Sequence, residues 1–123
     1  MSNVHLSTED LEKCRLAKTI QEKEFRHHHT IGDLARRVGI NQNKLKKGFK
    51  QLHNITVHAC LTSIRIEKAK DLLECTEKSV EAIARELGLD QSNFIKQFKR
   101  NTGLTPLEWR NDKNNTDTTG LAM

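Results

Sequence analysis

Tyrosine is absent from this chain of 123 residues, proline occurs once, and aromatic residues make up 4% of it. Valine and isoleucine never alternate with polar residues over a useful run, which argues against a broad sheet. There is no run of about 18 apolar residues, so no segment has the pattern of a membrane-spanning helix. The N-terminus lacks a basic stretch followed by an apolar one, and secretion is not expected. Cysteines are few and odd in number: Cys14, Cys60 and Cys75 lack metal-ligand spacing and read as reduced thiols in or near the core.

What is present favours helix. Lys, Glu, Leu, Ala and Gln dominate, and 35% hydrophobic content suits short helices packed in clusters. The chain is read as all-α, as one domain or two very small ones sharing a connecting element. The net charge of +5 hints at a polyanionic partner, and its distribution says more than its sum. Residues 31–56 carry Arg36, Arg37, Lys44, Lys46, Lys47 and Lys50 against Asp33 alone. Residues 1–30 and 57–79 are each balanced, 80–105 carries +1 and 106–123 carries −1.

An internal repeat organises the chain. Residues 31–56, IGDLARRVGINQNKLKKGFKQLHNIT, align without a gap to residues 80–105, VEAIARELGLDQSNFIKQFKRNTGLT, at an offset of 49. Eight pairs are identical: Ala35/Ala84, Arg36/Arg85, Gly39/Gly88, Gln42/Gln91, Lys47/Lys96, Phe49/Phe98, Lys50/Lys99 and Thr56/Thr105. The apolar positions Ile31/Val80, Leu34/Ile83, Val38/Leu87, Ile40/Leu89 and Leu45/Phe94 match as well.

Each copy reads as helix, tight turn, helix. Thr30 caps a first helix with Ile31, Leu34, Ala35 and Val38 inward, and Gly39 makes the turn, where a left-handed backbone costs least. Asn41 caps the next helix, with Leu45, Phe49 and Leu52 inward. Ser79, Gly88 and Asp90 play the same parts in the second copy, with Phe94 and Phe98 inward. This is the helix-turn-helix pattern. Around it, Ser7 opens a helix running to about Phe25, Thr56 caps a longer one to about Cys75, and Thr105-Pro106 opens a short last helix anchored by Trp109. The expected organisation is about seven helices. A first helix-turn-helix subdomain spans 1–55, a connecting helix 56–75, a second subdomain 76–110 and a disordered tail 111–123. Gly48, inside a helix, is expected to cost roughly 1 kcal/mol against alanine.

The second helix of each copy is the expected reader of duplex DNA. A connecting helix of about 19 residues spans roughly 28 Å at ~1.5 Å per residue, near the ~34 Å between adjacent major grooves on one side of DNA. Removing the inward positions leaves Gln42, Asn43, Lys46, Lys47 and Lys50 on one reader and Gln91, Ser92, Ile95, Lys96 and Lys99 on the other. Amide side chains suit adenine, lysine suits guanine, and Ile95 suits a thymine methyl. Later positions suit phosphate, which positions without specifying. For Arg36 and Arg85, phosphate contact and an intradomain ion pair remain open alternatives.

IGDLARRVGINQNKLKKGFK, the connecting RIEKAKDLL and VEAIARELGLDQSNFIKQFKRNTGLTP resemble the AraC/XylS family of bacterial transcription regulators over roughly residues 8–110. The resemblance implies a seven-helix DNA-binding domain that reads asymmetric double-stranded sites with both units and usually activates transcription through RNA polymerase. Carried over by position, it puts base contacts on Asn43, Lys46, Lys47, Gln91, Ser92 and Lys96. The phosphate candidates are Gln42, Lys50, Arg65, Lys99 and Arg100. Asn54 stands where the family usually has glycine, and Gly88-Leu89-Asp90 is one residue shorter than the family's usual second turn. A separate sensor or dimerisation domain, which most members carry, has no room here. A cytoplasmic, nucleoid-associated location follows from this reading.

Two rivals remain. A helical protein-interaction module would use the repeat only to pack helices. An enzyme would need a constellation that the chain does not display: no nucleophile triad, paired carboxylates or phosphate-cradling loop stands out. His27, His28 and His29 are consecutive, so their side chains diverge, and they read as a polar linker rather than a metal site. No cofactor and no metal is expected.

Overall fold

The computed structural model describes residues 5–112, and every regular element among them is a helix. In order these are α1 (Thr8–Lys23), α2 (Ile31–Val38), α3 (Gln42–His53), α4 (Val57–Cys75), α5 (Val80–Glu86) and α6 (Gln91–Thr102). A last helix, α7, covers residues 106–112. The chain divides into two compact units, Met1–Ile64 and Arg65–Met123, so the division falls inside α4. Residues 111 and 112, expected in the tail, are helical; the rest of that expected tail lies outside the described residues.

The helix starts follow from local chemistry. The Ser7 hydroxyl accepts from the Asp10 amide at 3.0 Å, and the Asp10 carboxylate accepts from the Ser7 amide at 3.0 Å. Thr30 and Asp33 form the same reciprocal box for α2, and Thr105 and Glu108 form it for α7. Each box satisfies two amides that an isolated helix leaves unpaired. Asn41, Thr56, Ser79 and Asp90 cap α3, α4, α5 and α6 through single side-chain bonds. α1 ends at Lys23, two residues before the expected Phe25, with Glu24 as its C-cap. Glu24 instead accepts both Arg37 guanidinium nitrogens at 2.8 Å, a link between the end of α1 and α2.

The two turns of the repeat share a left-handed glycine and one closing bond, although α2 is capped by Gly39 itself and α5 by Leu87, one position earlier in the repeat. Gly39 is left-handed at φ 81° and Gly88 at φ 78°. The Ile40 amide donates to Ala35 O at 3.1 Å, and the matched Leu89 amide donates to Ala84 O at 2.9 Å. Asn54 is left-handed at φ 58° and ends α3 just as Gly103, at φ 87°, ends α6. Asparagine is among the few non-glycine residues that visit this region routinely, which explains how it replaces glycine there.

In the first unit, Cys14, Ala17, Leu34, Ala35, Val38, Leu45, Phe49 and Cys60 form the buried core. Burial pushes the Cys14 and Cys60 thiols up, so they stay protonated and inert; Cys75 is exposed. The expectation for Gly48 is corrected by this packing. A Cβ at Gly48 would come within 2.5 Å of Cys14 Sγ, so glycine is what lets α3 approach α1. In the second unit Ile83, Leu87, Phe94, Phe98 and Pro106 are buried. The Phe98 ring meets Trp109 edge-on at 5.6 Å, and Trp109 Nε1 donates to Glu74 Oε2 at 2.9 Å. Arg110 donates to Leu73 O at 3.0 Å and Thr76 O at 3.2 Å, satisfying carbonyls at the end of α4. No described helix is long and apolar enough to cross a membrane.

Candidate nucleic-acid interface

Burial of Leu45, Gly48 and Phe49 fixes which face of α3 turns inward. Gln42, Asn43, Lys46, Lys47 and Lys50 are left exposed. Gln42 leans back over the first turn of α2: its Nε2 lies 3.1 Å from where a Cβ on Gly32 would sit.

The six cations of residues 31–56 then sort into two groups. Arg36 bonds Asp33 at 3.3 Å, Arg37 pairs with Glu24, and Lys44 sits 3.2 Å from the buried Asp10 carboxylate. The Ser7 amide first, and Lys44 after it, hold the Asp10 carboxyl below its ordinary range. Lys46, Lys47 and Lys50 have no ion pair among the described residues. The charge excess of the segment is therefore concentrated on the outer stripe of one helix.

The second unit repeats this sorting. Phe94 and Phe98 turn inward on α6, while Gln91, Ser92, Lys96, Lys99 and Arg100 stay exposed. Ile95 is half-buried. Arg85 bonds Glu81 at 3.0 Å and Lys78 bonds Glu86 at 2.9 Å. Lys96, Lys99 and Arg100 have no ion pair among the described residues. Arg36 and Arg85, open between two roles, each hold an intrahelical partner while remaining 79% and 74% exposed. Such exposed pairs are weak and leave the cations available to a polyanion.

Arg65, a phosphate candidate, is 5% exposed, and burial pulls its guanidinium below the usual range, so it has little surface to offer a phosphate. The structure also adds residues that the outer-stripe argument missed. An open cleft runs along α3 in the first unit, with Asn43, Lys46, Lys47, Lys50 and Gln51 on one side. Thr30 and Ile31 at the start of α2, and Thr56, Val57 and His58 at the start of α4, line the rest. The caps Thr30 and Thr56 were legible in the sequence; their convergence beside α3 was not. Among the described residues no cluster of three or more His, Cys, Asp or Glu could hold a metal ion.

A family model described as a helix-turn-helix domain matches residues 34–112. An uncharacterized HTH-type transcriptional regulator of Bacillus subtilis, YtdP, is 36% identical over 91 residues, covering 73% of this chain and 12% of that protein. The C-terminal domain of AraT, a response regulator from Geobacillus stearothermophilus, superposes with a TM-score of 0.79 at 30% identity, covering 89% of this chain and 88% of that one. The chain belongs to the AraC/XylS family of transcription regulators. The DNA-binding domain of AdpA, solved in complex with a target DNA, shares the fold at a TM-score of 0.77 and 20% identity, covering 81% of this chain and 91% of that one. The chain spans 12%, 39% and 53% of the length of the first three curated relatives it matches. The seven-helix, all-α fold with two helix-turn-helix units is that of the AraC-type DNA-binding domain.

Proposed function

We propose that this chain is the DNA-reading part of a bacterial transcription activator, with α3 and α6 each entering a major groove of one duplex. Asn43, Lys46 and Lys47 on α3, and Gln91, Ser92 and Lys96 on α6, meet base edges. Lys50, Lys99 and Arg100, one turn later, meet phosphate and set the register, with Gln42 beside them at the start of α3. Ile95 offers its exposed edge to a thymine methyl. The observation that supports this best is the sorting of charge: the cations left without an acid partner on α3 and α6 line the outer faces of the two repeat-matched helices. Activation by contact with RNA polymerase, and a cytoplasmic location, follow the family's usual pattern and are part of the same proposal.

Selection of bound sequences from a random duplex pool, followed by footprinting, tests it. The expected result is an asymmetric site with two protected segments, one assigned to each reader by loss of protection in its lysine variants. Absence of duplex binding even at low salt would overturn the proposal and leave a helical protein-interaction module.

A further inference from the structure

The proposed DNA contact accounts for the lysines along the α3 cleft but not for its walls. The cleft has a volume of about 1120 Å³, and most of its lining surface is apolar, contributed in part by Ile31, Val57 and Leu61. Gln21, 2% exposed, also lines it. Its Nε2 donates to Val57 O at 2.9 Å, whereas its Oε1 is buried with no hydrogen-bond partner in the structure. A buried acceptor left in this state costs stability unless a donor reaches it. Lys46, Lys47 and Lys50 stand along the same cleft without acid partners. Small-molecule sites have this make-up: a concave, mainly apolar body with a few convergent polar groups.

We propose that the cleft beside α3 binds a small organic anion with an apolar aromatic body, its acid group held by the lysines, and that this ligand and duplex DNA exclude one another. The exclusion rests on the proposed DNA reading, because Lys46 and Lys47 are claimed by both. Binding of the anion itself does not. An acid group, held by the lysines, distinguishes the ligand from neutral aromatics.

The anionic dye 8-anilinonaphthalene-1-sulfonate, which has an aromatic body, a sulfonate and an N–H, is the probe. Fluorescence titration of the full chain is expected to give saturable binding of one dye per chain, displaced by duplex. Lys50→Glu should weaken the dye by about tenfold or more, the scale of one lost charged contact. Lys23→Glu, on the exposed end of α1, should leave it unchanged. Circular dichroism checks that each variant is folded. No saturable binding, or equal affinity in Lys50→Glu and Lys23→Glu, overturns the site. Dye and duplex bound together overturns the exclusion. Duplex titration without dye tests the DNA reading separately, so failure of one is told apart from failure of the other.

Discussion

α3 and α6 sit at matched places in the repeat, yet the stretches that contain them carry very different charge. Residues 31–56 hold six cations against Asp33, while residues 80–105 hold only Arg85, Lys96, Lys99 and Arg100 against three acids. Summed charge makes the first reader the source of nearly all the affinity. Ion pairing alters that comparison. Arg36, Arg37 and Lys44 are matched to acids in the first unit and Arg85 in the second, so each reader keeps the same number of unmatched cations. What differs is their position. Lys46 on α3 is replaced by Ile95 on α6, while Gln51 is replaced by Arg100 one turn later. The caps differ too: neutral Asn41 opens α3, whereas anionic Asp90 opens α6 and keeps negative charge near its base-facing end. On the proposed reading, the first reader would meet bases mainly with Lys46 and Lys47, and the second with Lys96 and the apolar edge of Ile95, with more of its charge placed for phosphate.

Matched substitutions in the two copies would show how far they differ. The largest effect is expected in the cores, where Phe49 and Phe98 are both fully buried. Phe49→Ala and Phe98→Ala should each cost about 3–5 kcal/mol in chemical denaturation. A much smaller loss in one would mean that the two copies are not equivalent scaffolds. Next comes Gly48, matched by Gln97 in the second copy. Gly48→Ala should destabilise by about 1–3 kcal/mol through overpacking against Cys14, and Cys14→Ala should relieve most of it. Were Gly48→Ala stabilising instead, helix propensity rather than close approach would govern the site.

Lys47→Ala and Lys96→Ala should each weaken the selected site by about 1–3 kcal/mol, and random duplex less, if both meet bases. Equal loss on both duplexes would move the residue to phosphate. Loss of sequence preference at a thymine on replacing Ile95 by Ala would support shape reading by the second unit.

The smallest effect is a pH dependence confined to the first unit. Burial first, then the nearby Lys18, pull the His53 imidazole below its ordinary range. The unfolded chain then binds more protons than the folded one once pH falls below about 6.5. His53 therefore leaves stability intact above that pH and lowers it as pH drops through the folded value. Thr102 is its match in the second copy and does not titrate. Urea titrations at pH 7.5 and 5.5 should show the loss by far-UV dichroism, and His53→Gln should flatten it. Trp109 fluorescence, from the single tryptophan and sited in the second unit, should move less.

Legibility divided along the range of the interaction. The caps Thr30, Asn41, Ser79, Asp90 and Thr105, the turn glycines and the left-handed Asn54 depend on neighbours within a few residues, and all could be read from the sequence. The inward and outward faces of α3 and α6 followed from helical period in the same way. Contacts across long sequence separations were hidden. Lys44 counted toward the charge of residues 31–56, but nothing local points to its partner Asp10, 34 positions away in the chain. Arg65 looked like a surface cation on an amphipathic helix and is buried. Gly48 looked like a flaw in a helix because nothing local points to Cys14. The cleft was invisible for the same reason, since its sides come from α1, the starts of α2 and α4, and α3.

If both readers bring working charge to DNA, the salt dependence of duplex binding will register each of them. Each phosphate neutralised contributes roughly −0.9 to the slope of log K against log salt. Replacing Lys50 by alanine should flatten that slope by about 1, and replacing Lys99 and Arg100 together should flatten it by about 2. A slope that the α6 substitutions leave unchanged would contradict the account and return the affinity to the first reader alone.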